Sequence, residues 1–155
     1  MPRGQRLGRK GLTLIELLSV LMIIGTLAGI AMPKMQETIY VAQVAKAIGD
    51  IRVISQEIDA VVAGGGALPN SLADIGRGGW LDPWGNPYQY LPFPVGKGVP
   101  GGARKDRFLV PINSEYDLYS MGRDGSSVPP LTGASARDDI VRANDGGFIG
   151  LASKY

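Results

Sequence analysis

Glu16 is the one charged residue in the apolar run from Leu12 to Met32, and it follows Arg9, Lys10 and Gly11 closely. A charged residue at the centre of a membrane-spanning helix costs roughly 2.5–3.5 kcal/mol, and less near an end, so pairing with a cation offsets a real cost. A second set of oxygen donors lies near the C-terminus: Asp124, Asp138, Asp139, Asn144 and Asp145. Hard oxygens of this kind suit calcium, but their spacing is not that of an EF-hand, and turn and cap roles account for them without a metal. The chain has no cysteine and no histidine. Thiol nucleophiles, Ser–His pairs, the usual zinc ligands and disulfide staples are therefore closed to it. Gly96–Gly101 matches G-x-G-x-x-G letter for letter, but no strand–turn–helix context surrounds it and Pro100 suits a loop, so it is not a dinucleotide site. No catalytic constellation is left, and the chain reads as a non-enzyme.

The element that must carry Glu16 is a helix. From Leu12 to Met32 it would reach about 32 Å, one bilayer core. Arg3, Arg6, Arg9 and Lys10 precede it with no acid among them, which keeps the N-terminus cytoplasmic. A secretory signal, with Gly29-Ile30-Ala31 as a small-x-small cleavage site, and a plain membrane anchor are the two ordinary readings of such a run. Beyond it, Val44, Ile48, Ile51, Ile54, Ile58 and Val61 recur at helical spacing, so the helix continues with one apolar face for packing against the chain's own globular part. Gly64-Gly65-Gly66 stops it. Gly25, Gly29 and Pro33 weaken the helix between its halves, although a membrane helix can carry such residues without unwinding.

After the helix, "ALPNSLADIG" predicts a short capped turn of helix starting near Pro69–Ser71. Asp82-Pro83-Trp84-Gly85 carries a type I turn signature. Strands are expected at Tyr88–Leu91, Phe108–Ile112 and Tyr116–Ser120, forming a small antiparallel meander on the helix. Trp84 reads as a core plug, while Trp80 could be core or a partner contact. Arg104, Lys105 and Arg107 cluster locally and read as a solvated loop, so nucleic acid is not an expected partner.

Lys10-Gly11 followed by Leu12-Thr13-Leu14-Ile15-Glu16-Leu17 resembles the class III signal of type IV pilins and type II secretion pseudopilins. Carried over, the resemblance implies that a prepilin peptidase cuts after Gly11 and that Leu12, where the family usually has Phe, becomes the methylated first residue. The mature chain would keep 12 Lys and Arg against 14 Asp and Glu, a net charge of −2. The new α-amine would sit against Glu16 of a neighbouring subunit, which makes the acid an assembly device; breaking one partner of a buried pair costs roughly 3–5 kcal/mol. Pro33 stands where the family commonly has a proline near which filament cores lose helix.

"DPWGNPYQY", "YDLYSMGRDG" and "RDDI" narrow the resemblance to the major pseudopilin of type II secretion systems. It is weak between Gly96 and Arg107, and "SSVPPLTGASA" makes the following loop long. The implied fold is α+β and type IV pilin-like: a long N-terminal helix packed on a small antiparallel sheet with a C-terminal loop. Expected segments are a leader at 1–11, a membrane and filament-core helix at 12–33, an amphipathic helix at 34–66 and a globular domain at 67–155. The resemblance further implies a calcium ion in the C-terminal loop, with Asp124 and Asp139 as side-chain ligands, the Met121 carbonyl, and Asp138 as a further candidate. It implies a homopolymer through the N-terminal helices, with prepilin peptidase, minor pseudopilins and the inner-membrane assembly platform as partners. Localisation would be a single pass of the inner membrane, N-terminus cytoplasmic and domain periplasmic. The alternative role is the major subunit of a surface type IV pilus.

Overall fold

The computed structural model describes residues 11–155; of the leader expected at 1–11, all but Gly11 lies outside the described residues. Helix α1 spans Leu14–Ala63, about 75 Å at 1.5 Å per residue. The chain divides into two compact units, Met1–Ile39 and Tyr40–Tyr155.

In the first unit the helix is apolar and uncovered. Leu14 is 77% exposed and Ile30 74%. The helix runs unbroken past Gly25, Gly29 and Pro33 in this single subunit, although proline at 33 has no N–H to give the preceding turn.

The second unit is built on the last turns of α1 and one sheet. Strands β1 (Gln89–Pro92), β2 (Tyr116–Ser120), β3 (Ile140–Ala143) and β4 (Phe148–Leu151) form an antiparallel sheet in that order. Tyr90 stands opposite Leu118, Tyr119 opposite Val141, and Ile140 opposite Leu151. Side chains alternate across a strand, so "YDLYS" sends Tyr116 and Leu118 to one face and Asp117 and Tyr119 to the other. The first face meets Ala47, Ile51, Ile54 and Ile58 of α1, all fully buried, together with Leu72, Tyr88 and Ile140. Each such isoleucine contributes about 1.5–3 kcal/mol by burial. The second face is covered by chain rather than helix: Ile112, Leu131, Val141, Ala143 and Ala152 cluster there, with Tyr119, Phe148 and Tyr155 against them.

Local signals explain the joints. Gly65 takes a φ of 83° just past α1, where a left-handed residue closes a helix. The short helix is 3-10, Leu72–Ile75, and the Asp74 carboxylate accepts the N–H groups of Asn70 and Ser71 and the Ser71 hydroxyl. Trp80 and Trp84 both pack against the helix-facing core. Gly96–Gly101 is loop, with Gly96 and Gly98 at positive φ.

Two expectations are corrected. Phe108–Ile112 is not a strand. Asp106 and Leu109 bond to each other in a tight turn, Arg107 has a φ of 41°, and Phe108 is 98% exposed at the apex. β1 and β2 pair directly, so no gap is left for it, and Pro111 could not donate to a ladder. Arg104 is not solvated either: it is 2% exposed, beneath the loop of residues 125–136.

Candidate assembly helix and C-terminal loop

Glu16 opens α1 in a reciprocal cap. Its Oε2 accepts the Thr13 backbone N–H at 2.9 Å and the Thr13 hydroxyl at 2.7 Å, while the Glu16 N–H donates to Thr13 Oγ1 at 3.3 Å. This is the Thr-x-x-Glu capping box, in which two otherwise unpaired donors are satisfied. Thr13 has no role on composition alone, and the Thr13–Glu16 spacing is the signal that marks it. Leu12 is 74% exposed beside this cap. Gly11, Leu12 and Glu16 thus lie together at the start of the helix, and Pro33 lies farther along it.

The "DPWGN" and "YDLYSMGRDG" segments of the domain form one hydrogen-bonded unit. In "DPWGN", Gly85 N–H closes the turn on the Asp82 carbonyl at 3.0 Å, and Asp82 Oδ1 accepts the N–H groups of Trp84 and Asn86. Asp82 Oδ2 then accepts the Ser120 hydroxyl at 2.6 Å, and the Asn86 amide donates to the Gly122 carbonyl at 3.1 Å. Gly122 has a φ of 66°, and a Cβ there would fall 2.4 Å from the Asp138 carbonyl oxygen. Only glycine fits. The "SMGRDG" turn is thereby pressed onto "RDDI".

The nominated metal ligands are near one another in the chain's path but are separately engaged. Met121 directly follows β2. Asp124 Oδ1 accepts the Ser126 N–H, and Asp138 Oδ2 accepts the N–H groups of Arg123 and Asp124. Asp139, fully buried, takes the Arg104 guanidinium and the Ser127 hydroxyl on Oδ2. Burial pushes the Asp139 carboxyl up to about 6, with Ser127 and Arg104 drawing it back. Among the described residues, no group of three or more acidic side chains is placed to hold a metal. Asp139 Oδ1 is buried without a hydrogen-bond partner, yet an ion there would share its carboxylate with a guanidinium. Like charges about 4 Å apart repel by about 4 kcal/mol per unit charge at an effective dielectric of ~20. This donor set does not fit a calcium ion.

Asn144 and Asp145 serve a turn. Both have positive φ, and Asp145 accepts the Ser114 N–H and hydroxyl at 2.8 Å each. Beneath them Asn113 links Asp117 to the Arg142 carbonyl, and Arg142 stacks 4.1 Å over the Tyr116 ring. Burial raises Asp117 above the usual carboxylate range.

The family model for the prokaryotic N-terminal methylation motif matches residues 6–32. The type II secretion system core protein G of Pseudomonas aeruginosa is 32% identical over 142 residues, 78% of this chain and 88% of that protein. The core protein G of Aeromonas hydrophila is 30% identical over 161 residues, 90% of this chain and 96% of that protein. Fimbrial protein Q of Moraxella bovis is 41% identical, but over 54 residues and 35% of this chain. No solved structure matches the chain. The methylation motif at the start of α1, the helix-on-sheet fold and the likeness to two core proteins over most of each chain have one reading: the chain belongs to the type II secretion system core protein G family, the major pseudopilins.

Proposed function

We propose that the chain is cut after Gly11, methylated on Leu12, and assembled through its N-terminal helices into a periplasmic filament. It is a structural pseudopilin of the type II secretion apparatus and not an enzyme, and it is a single-pass inner-membrane protein. The observation that carries the filament reading is the bare apolar helix with one acid at its start. Leu14, Ile15, Leu21, Met22 and Ile30 are all at least 65% exposed, so the helix needs lipid before assembly and neighbouring helices after it. Glu16, freed from its Thr13 cap, would meet the α-amine of an adjacent subunit. Gly25 to Pro33 would lose helix in the filament, where the carbonyls opposite Pro33 and the glycines are least costly to open.

The finer organisation follows from that reading. Residues 1–11 form the leader, 12–33 the membrane and filament-core segment, 34–66 the amphipathic continuation and 67–155 the domain. The N-terminus faces the cytoplasm, where prepilin peptidase acts, and the domain faces the periplasm. Minor pseudopilins and the inner-membrane platform are the assembly partners. The experiment is genetic: deleting this chain should trap exported proteins in the periplasm, and restoring it should release them. Undiminished export from the deletion strain contradicts the reading.

A further inference from the structure

We propose that Arg104 is the resident cation of the domain, fastening the loop of residues 125–136 to the sheet so that the loop closes without a metal ion. The inference concerns the domain alone and is independent of how the filament forms.

Arg104 ties its own segment to three other pieces of chain. One guanidinium nitrogen donates to the Ser127 hydroxyl and to the Val128 carbonyl, the latter at 2.7 Å. The other pairs with Asp139 just before β3. The guanidinium carbon, Cζ, lies 4.2 Å from the centre of the Tyr119 ring on the sheet. The Arg104 backbone N–H donates to Asp117 Oδ2 at 2.6 Å, also on the sheet's second face. The neighbouring backbone continues the attachment, with Lys105 N–H on the Pro129 carbonyl at 3.1 Å and Leu131 N–H on the Lys105 carbonyl at 2.9 Å.

The oxygens gathered around the guanidinium are a carboxylate, a backbone carbonyl and a hydroxyl. Calcium draws on the same kinds of oxygen to close an irregular loop. A planar guanidinium reaches several of them at once and keeps its charge at every accessible pH. Here it comes covalently attached. Its position also repels a second cation from Asp139, while Asp124 and Asp138 each already lend one carboxylate oxygen to neighbouring N–H groups. Arg104 lies within the 96–107 stretch, and it seats the long loop that follows "SMGRDG". These two unusual segments of the chain are built against each other.

The test uses the full chain in detergent, with unfolding followed by the fluorescence of Trp80 and Trp84. Wild type is expected to melt at the same temperature in millimolar calcium and in chelator. A site saturated about 100-fold above its dissociation constant would instead raise the melting temperature by several degrees. Arg104→Gln should lower the melting temperature in both conditions and speed tryptic cleavage after Arg123 and Arg137, which flank the loop. Arg104→Lys should recover only part of that loss, because an ammonium cannot reproduce the fork. A wild-type melting temperature raised by calcium, or an Arg104→Gln protein as stable and as protease-resistant as wild type, would overturn the proposal. The wild-type comparison stands even if Arg104→Gln does not fold.

Discussion

Asp82 and Ser120 tie the Asp82–Gly85 turn to the end of β2: the Ser120 hydroxyl donates to Asp82 Oδ2 at 2.6 Å, and both residues are buried. The same carboxylate holds the Trp84 and Asn86 N–H groups. Asp82→Ala removes three accepted bonds and leaves buried donors unpaired, a loss of about 1–3 kcal/mol for each such group that water cannot reach. The melting temperature of the full chain should drop by several degrees. Asp82→Asn, which keeps one carbonyl oxygen, should fall between the two. An unchanged Asp82→Ala protein would mean that the turn is held by its backbone alone.

The stripe on α1 sets the domain's stability from Tyr40 onward. Ile54 is fully buried against the sheet, whereas Val53, its neighbour in sequence, is 41% exposed. Ile54→Ala should cost about 2–5 kcal/mol, and Val53→Ala about 0.5 kcal/mol or less. Chemical denaturation followed by tryptophan fluorescence compares them. Equal costs would place the packed face elsewhere on the helix.

Alkaline conditions should weaken the domain. Burial raises Tyr88, Tyr90 and Tyr116, the last to about 12 from an ordinary 10.0. Between those values the unfolded chain has released the Tyr116 proton and the folded chain still holds it, so rising pH favours unfolding. The contribution is intact below pH 10 and is lost progressively as pH climbs toward 12. Melting temperature against pH, with tyrosinate absorbance as a second signal, checks the sign. A melting temperature that rises across this range would contradict it.

Processing should leave Leu12 as an N-methylated first residue. The mass of protein purified from a cell with an active prepilin peptidase gives the answer directly. A mass corresponding to uncut chain, or to a start at Met32, would return the apolar run to the anchor or secretory readings.

Much of this architecture is readable from residue order because its determinants are local. The Ile51–Ile54–Ile58 spacing marks the packed face of α1, and the glycine triplet marks its end. Asp82-Pro83-Trp84-Gly85 marks its own turn, and Tyr116–Ser120 alternates visibly between faces. What could not be read depends on contacts far apart in sequence. Phe108-Leu109-Val110 has strand composition, but pairing of β1 with β2 leaves it no partner. β3 is buried along its whole length and β4 does not alternate, so neither shows a period of two, and Arg142 in β3 looks like a surface residue until Tyr116 and Asn113 are placed beside it. Arg104 looks solvated for the same reason: Asp139, its partner, is 35 residues away. At the other end Thr13 and Glu16 are three residues apart, so their cap was legible; the filament role assigned to Glu16 concerns other chains.

The most direct measurement of the central claim is filament assembly by Glu16→Gln and Glu16→Ala. Glutamine can keep the capping box with Thr13 but carries no charge, whereas alanine loses both cap and charge. If Glu16 pairs with a neighbour's α-amine, both variants should be processed and fold normally, as judged by mass and by tryptophan fluorescence. Both should fail to form filaments, since each leaves the amine without its counter-charge. Filaments of wild-type yield from Glu16→Gln, with loss only in Glu16→Ala, would show that Glu16 serves the helix cap of its own subunit and would contradict the proposed assembly.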